Sequence, residues 1–491
     1  LEADSEKLGG RLSGGTPTHF TYQGQDYIFY GEHGIHGIWG QYHNVRRLLK
    51  DAAIDPGFVA AKREAWVYRN LGGRVQWSEG GSSLRDSWLP APFHYLALFI
   101  RPRFLQMLTL RDLASMFRVL GGLIFALAYD PAGEGAPLQG RTLADFFRGW
   151  SPTLQALFTG LARNFASERP DRVPESGFIA FLRFYTLLRR DSWAFHYFSG
   201  DAGSQVINPL AERIKALGGQ IESGVRVTKL EKTESGWRVE TDRGGEKLNA
   251  SQVILAVDAP AAKAILAGSP GLREAIESFT TPIAIPTIIL RYWFSTTPTR
   301  GVNAEAGIFT GEFTLDNFFW LHRFQTDFKA WHTQTGGCVI ECHLYGNIHG
   351  DTRLFSEPDA VILARGLLDL TRVWSELKGC VIHQTIRRNS AVHTLFDSDG
   401  TGLAVQSPFE GLSLAGDWVR YPHPSLYLER AVVTGLAAAN EALGAIGRPL
   451  AKIENVTPAE PPARWIERGL RAIRERTRRH KKRIANQENK I

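Results

Sequence analysis

Alternating apolar and polar residues from Pro286 to Trp293, Phe318 to His322 and Val339 to Tyr345 predict an antiparallel sheet, with further strand candidates at Trp66 to Tyr68 and Val75 to Trp77. Helical spacing takes over from Phe93 to about Ser199 and again from Ile362 to Leu377. From about Ser204 the order is helix, glycine-rich turn at Gly218-Gly219, then strand, with another strand from Trp237 to Thr241. Near the end, a short apolar run at Leu412 and Leu414 stops at Gly416-Asp417. A loop rich in aromatic residues and prolines follows, then a helix of small residues from about Leu428 to Leu443. A strand end and a helix start arranged this way converge on one ligand. Aligned N–H groups at the helix start favour negative charge, and a carboxylate just before them can bind sugar hydroxyls.

Arg101, Arg103, Arg111, Asp112 and Arg118 interrupt the apolar residues between Phe93 and Tyr129. No unbroken apolar run there reaches the roughly 20 residues that a membrane-spanning helix needs. Core packing is the favoured explanation of these helices. The alternative is a surface that dips into a bilayer interface, its arginines reaching toward headgroups.

Composition narrows the class. At 491 residues the chain exceeds one ordinary core, so two intertwined domains are expected. Cys338, Cys342 and Cys380 make an odd count without paired spacing, which points to a reducing cytoplasm; Cys338 and Cys342 read as buried strand residues. The formal charge is +7, but the segment from Arg464 to Ile491 alone carries +8, eleven Lys or Arg against three Glu, which leaves the rest at −1. A near-neutral body offers no nucleic-acid face. The tail places Trp465, Ile466, Leu470 and Ile473 at helical spacing, which suits an anionic membrane surface as well as it suits a solvated, partly disordered end. Its lead, TPAEPPAR, reads as a linker.

The two ends of the chain carry a resemblance. Glu2 stands in the opening LEADSEKLGGRLSG, ahead of Gly9-Gly10-Arg11; the late segment is LSLAGDWVRYPHPSLYLERAVVTGLAAANEAL; a third stretch, ESGVRVTKLEKTESGWRVET, starts at Glu222. Together they resemble the flavin-dependent amine oxidase and phytoene-type carotenoid desaturase superfamily. The resemblance implies an α/β protein with a Rossmann-like FAD-binding domain and a discontinuous α+β substrate domain. The FAD-binding parts would be residues 1–50, 204–268 and 403–447, the substrate parts 51–203 (mainly helical) and 269–402 (sheet and helix), with 448–491 as linker and tail. The implied cofactor is FAD. Glu2 would hold the adenosine ribose, Gly9, Gly10 and Arg11 would lie near the pyrophosphate, and Val225 would pair its backbone with adenine. Gly416 and Asp417 would contact the pyrophosphate and ribityl chain, and the helix start at Leu428 and Glu429 would turn its positive end to the flavin. The fingerprint G-x-G-x-x-G belongs roughly 20 residues ahead of the ribose acid. The expectation is therefore a truncated form lacking the first βα unit and binding FAD weakly or not at all.

Chemistry in such a protein comes from the flavin, so no conventional triad is required, and no G-x-S-x-G occurs. His33 and His36 lie in EHGIHGIWGQYHN, where Gly31, Gly34, Gly37 and Gly40 recur every third residue and point to close approach of the backbone to something flat. No partner motif supports a metal. By the resemblance this loop passes beside the flavin; His33, His36 and Glu429 are the candidates for taking up a proton, and structural histidines are the alternative. The same stretch and the apolar helices resemble carotenoid desaturases, ring-modifying ones included, which implies an apolar small-molecule substrate. Phe178, Phe181, Phe184, Tyr185, Trp193, Phe195 and Tyr197 are tunnel or core candidates. The rivals are an amine oxidase, with Trp418 and Tyr421 as an aromatic cage, and a non-catalytic, membrane-associated remnant of the same fold. The electron acceptor stays open among quinone, oxygen and nicotinamide. The expected location is the cytoplasm, with peripheral attachment to a membrane as an option.

Overall fold

The computed structural model describes residues 1–134, 138–244, 247–274, 283–346, 352–397 and 402–488. Its largest sheet has seven strands, in the order Val381–Asn389, Thr287–Phe294, Cys338–Leu344, Asn317–Trp320, Ala306–Gly311, Glu64–Arg69 and Val75–Glu79. All neighbours are antiparallel except Ala306–Gly311 beside Glu64–Arg69. The three expected strands are present, and Cys338 and Cys342 are free, fully buried strand residues. The helix Asp359–Val373 covers one face and shares a core with Leu290, Tyr292, Phe318 and Ile340.

A second unit, expected to bind the nucleotide, contains the strand end at Gly416-Asp417. The parallel pair Val253–Leu255 and Leu412–Leu414 adjoins an antiparallel trio, Val227–Thr233, Gly236–Thr241 and Lys247–Ala250. Helices Ala259–Ala267 and Tyr427–Ala445 pack on it around Leu230, Trp237, Leu255 and Leu414. The hairpin Thr16–Tyr22/Gln25–Gly31 turns at Gln23 and Gly24, both with positive φ as a two-residue hairpin turn requires. It packs its Phe29 against Trp293 and Phe328 of the large-sheet side.

The third body is helical: Leu110–Ala128, Pro152–Ala166 and Glu175–Leu182 enclose Phe146, Phe147, Phe178, Leu182 and Phe184. These aromatic residues are core. The expected linker is a strap. Thr457 N–H donates to Gln41 Oε1, the Thr457 carbonyl accepts from Arg189 Nη1 at 2.8 Å, and the Glu460 carboxylate accepts the N–H groups of Ala91 and Arg190. The strap delivers helix Pro461–Glu488 onto the helical body, where Ala463 is buried, Glu467 bonds Arg183, and Arg471 pairs with Asp130 at 3.2 Å.

Glu429, expected near the flavin, has another task here. It is fully buried; Oε1 accepts the N–H of Asn44 at 2.9 Å and its Nδ2 at 2.7 Å, and Oε2 accepts the N–H of Val45 at 3.0 Å. A carboxylate on the first N–H groups of helix His43–Asp51 is a cap supplied from 385 residues away. Burial raises its pKa, and the Asn44 and Val45 donors oppose that. With both oxygens engaged it is a poor proton acceptor. Replacing Glu429 with Ala is expected to cost about 2–4 kcal/mol in urea denaturation, because two buried N–H groups lose their acceptor; Glu429→Gln should cost less.

Candidate functional site

Backbone conformation sets the site. Gly9, φ 91°, reverses the chain into the 3-10 turn Gly10–Leu12, which aims Arg11 across the nucleotide unit. On the opposite side strand Leu412–Leu414 ends at Gly416, φ 144°, where a Cβ would stand 2.7 Å from Trp418 Nε1. Thr434 clamps this strand end: its Oγ1 accepts the Gly416 N–H at 3.0 Å and lies 2.9 Å from the Gly416 carbonyl. Asp417 thereby faces Arg11, and Arg11 Nη2 donates to Asp417 Oδ2 at 2.6 Å. Two segments 406 residues apart meet in one ion pair.

His393, which no motif or spacing singles out, completes the group. Its Nδ1 lies 3.4 Å from Arg11 Nη1, and its ring stacks on Tyr427 with centroids 5.4 Å apart. Burial lowers its pKa to about 4, with Asp417 opposing and Arg11 adding to the shift, so the imidazole is neutral at neutral pH. Phe165, His393, Thr394, Asp417, Leu426 and Tyr427 line a cleft at the N-terminus of helix Tyr427–Ala445. Tyr427 holds φ 54°, an uncommon conformation for a side-chain-bearing residue, and its hydroxyl donates to the Phe165 carbonyl. Leu428 follows it in the first turn, where backbone N–H groups have no intrahelical acceptor.

The glycines every third residue approach protein. A Cβ on Gly37 would meet the His196 carbonyl at 2.3 Å and one on Gly40 the Asp191 carbonyl at 2.1 Å; Gly34 lies against the His343 ring. This packing holds His33 and His36 together, rings 4.6 Å apart. His36 Nδ1 lies 3.1 Å from Glu32 Oε1. A carboxylate only accepts, so Nδ1 carries the hydrogen and Nε2 presents its lone pair. Burial, then the nearby His36, Arg11, Arg387 and His343, hold His33 well below its ordinary pKa. Among the described residues no group of three or more His, Cys, Asp or Glu is placed to hold a metal.

Beneath this loop runs a buried polar row: Tyr345 hydroxyl to His343 Nδ1 at 2.7 Å, His343 Nε2 to Glu341 Oε1 at 2.9 Å, and Arg291 Nη2 to Glu341 Oε2 at 2.5 Å. Burial alone would raise the Glu341 pKa; Arg291 and His343 overcome it and bring it down to about 2. The readable signal was Glu-x-His-x-Tyr at a period of two inside an apolar strand.

Glu2 and Val225, expected at the adenosine end, lie side by side. The Glu2 N–H donates to the Glu222 carbonyl, the Glu2 carbonyl accepts the Val225 N–H at 2.8 Å, and Glu2 Oε1 accepts the Asp4 N–H at 2.9 Å. The Val225 N–H is therefore already engaged within the protein. Gly10, φ 56°, has open space where a Cβ would stand, so a ligand can approach its backbone. Glu2, the open Gly10 turn, Arg11 and Asp417, which lines the cleft at the N-terminus of helix Tyr427–Ala445, are residue types that would suit the ribose, pyrophosphate and ribityl parts of FAD. The glycine fingerprint turn is not among these residues.

The family described as flavin containing amine oxidoreductase matches residues 4–303. The carotenoid phi-ring synthase of Streptomyces griseus is 25% identical over 452 residues, covering 89% of this chain and 81% of that protein. The carotenoid phi-ring synthase of Chlorobaculum tepidum is 31% identical over 159 residues, 32% of this chain and 24% of its own length. Among solved structures, cyclohexylamine oxidase from Brevibacterium oxydans has the same fold, with TM-score 0.62 at 15% identity over 91% of this chain and 93% of that one. The chain belongs to the flavin-containing amine oxidoreductase family.

Proposed function

We propose that this protein removes hydride from a long apolar isoprenoid of the carotene class. The observation that carries the reading is the similarity over 452 residues to a carotenoid phi-ring synthase. The cleft chemistry supports it: Phe165, Leu426 and the Tyr427 ring are apolar walls, and Phe165 continues into Phe181 with ring centroids 4.4 Å apart. An amine substrate calls for an aromatic cage. Trp418 is 7% exposed, its indole N–H donates to the Val257 carbonyl at 2.9 Å, and Tyr421 packs on the same nucleotide-unit core, so neither is free to form one.

FAD, when bound, supplies the hydride acceptor. Arg11 and Asp417 would hold the cofactor's middle, with Glu2 at its ribose. Pairing with Arg11 cancels the Asp417 charge that would otherwise repel a pyrophosphate, and the N-terminus of helix Tyr427–Ala445 adds positive potential. Loss of hydride makes the neighbouring C–H acidic. His36 Nε2 takes that proton, Glu32 fixes the tautomer and stabilises the charged ring, and neutral His33 beside it adds no competing charge. Packing of Gly34 against the His343 ring holds this corner in place while His36 keeps partial access to solvent.

Anaerobic titration of the FAD-loaded protein with carotenes in detergent should bleach the flavin band, and cyclohexylamine should not; bleaching by the amine alone would refute the substrate. His36→Gln should lower the rate of carotene-dependent bleaching about 10²–10⁴-fold while the flavin stays bound, as loss of a general base does. Asp417→Asn should instead reduce the flavin retained through gel filtration.

The folded His393 pKa is about 4 against an ordinary 6.5, so its contribution to stability is complete above about pH 6.5 and is lost as pH falls through about 4. Thermal midpoints measured across that range should fall less steeply for His393→Gln.

A further inference from the structure

Helix Leu110–Ala128 turns an apolar stripe outward. Leu110, Leu113, Phe117, Leu120 and Ile124 follow one another at helical steps and are 86, 46, 65, 50 and 51% exposed, while Val119, Ala126 and Leu127 on the other side are buried. The segment before it adds Trp88, Leu96, Ile100 and Leu105, all exposed. Soluble monomers rarely show a contiguous apolar surface of this kind without a use for it.

Along the stripe and the segment before it, the exposed charges among the described residues have one sign. Arg101, Arg103, Arg111 and Arg118 are exposed, and the one acid between Trp88 and Ala128, Asp112, is buried in the helix cap, accepting the Thr109 N–H at 2.6 Å. Helix Pro461–Glu488 packs beside Leu110–Ala128, tied by Arg471 to Asp130 and by Arg474 over the Tyr129 ring. It adds exposed Trp465 and Ile473, the exposed cations Arg468, Arg476 and Arg479, and one exposed acid, Glu475, 3.9 Å from Arg479. Two helices thus present apolar residues and cations together.

We propose that this face docks on an anionic lipid bilayer, the stripe entering the headgroup–acyl boundary and the arginines pairing with lipid phosphates. The charge argues for this occupant over a second copy of the chain, since a two-fold contact through this face would bring like cations together. Among the described residues no helix is long and apolar enough to cross a membrane, so contact through this face leaves the helices on the surface. The inference rests on these side chains and does not depend on the substrate reading above, although a bilayer is where a carotene would be met.

Co-sedimentation of the full chain with vesicles of phosphatidylcholine alone, and with phosphatidylglycerol added, tests it. Binding should require the anionic lipid and weaken as salt rises. Phe117→Glu with Leu120→Glu, both at exposed positions, should reduce binding about tenfold or more, as should Arg111→Gln with Arg118→Gln, at unchanged circular dichroism and thermal midpoint. Asp417→Asn should bind vesicles as the parent does, which separates a failed surface from a failed flavin site. Equal binding to both vesicle types, no binding to either, or a dimer in light scattering that Phe117→Glu dissociates would overturn the proposal.

Discussion

The ion pair between Arg11 and Asp417 is the contact through which the two ends of the chain become one site. Asp417 is nearly enclosed and Arg11 is partly open to solvent, so removing the guanidinium would strand a buried carboxylate, a costlier change than the net worth of the pair. The pair exists because glycines at both ends permit the turns: positive φ at Gly9 and Gly416 directs two distant segments to one point. His393 and Tyr427 stack against it, and strand Leu412–Leu414 and helix Tyr427–Ala445 are pinned to it by Thr434. The proposed cofactor cradle is therefore assembled from long-range contacts, and no short segment would preserve it in isolation.

The elements of the fold were legible because their periodicity is local. The strand before Gly416-Asp417, the small-residue helix after it and the three alternating stretches of the large sheet all fall where the pattern of apolar positions predicts. Relations across the chain were less legible. Glu429 sits one turn into a helix and invites a reading as a flavin contact; its role as a cap depends on Asn44 and Val45, which no spacing rule connects to it. The glycine repeat from Gly31 to Gly40 did signal close backbone approach, but the partners at Gly37 and Gly40 are carbonyls of His196 and Asp191 rather than a ligand. For Leu110–Ala128, helical spacing identifies an apolar face without saying whether it turns inward, and core packing was the wrong choice for its outer stripe.

The buried row of Glu341, His343, Tyr345 and Arg291 shows how the two larger units are registered. Charges placed in the middle of a sheet cost desolvation, and each is answered: Glu341 by Arg291 and His343, Asp316 by Arg163 at 3.2 Å and by the Tyr345 N–H at 2.6 Å. Arg291 also donates to the Tyr30 carbonyl, and Arg387 to that of Gly31. Those bonds fix the start of the His33–His36 loop against the sheet. A shift of one strand by a residue would reverse which face carries these groups, so the polar row specifies the register as firmly as the apolar core does.

The strap that leads into the last helix has a practical side. Between Lys452 and Glu460 the chain runs along the surface as neither helix nor strand, where a protease can reach it, yet its carbonyls, amides and carboxylates are tied to Gln41, Asn44, Ala91, Arg189 and Arg190. Downstream, Glu467 and Arg471 grip Arg183 and Asp130 separately. A single nick in the strap would sever the polypeptide without freeing the basic helix, and the two fragments would travel as one particle until denaturant parted them.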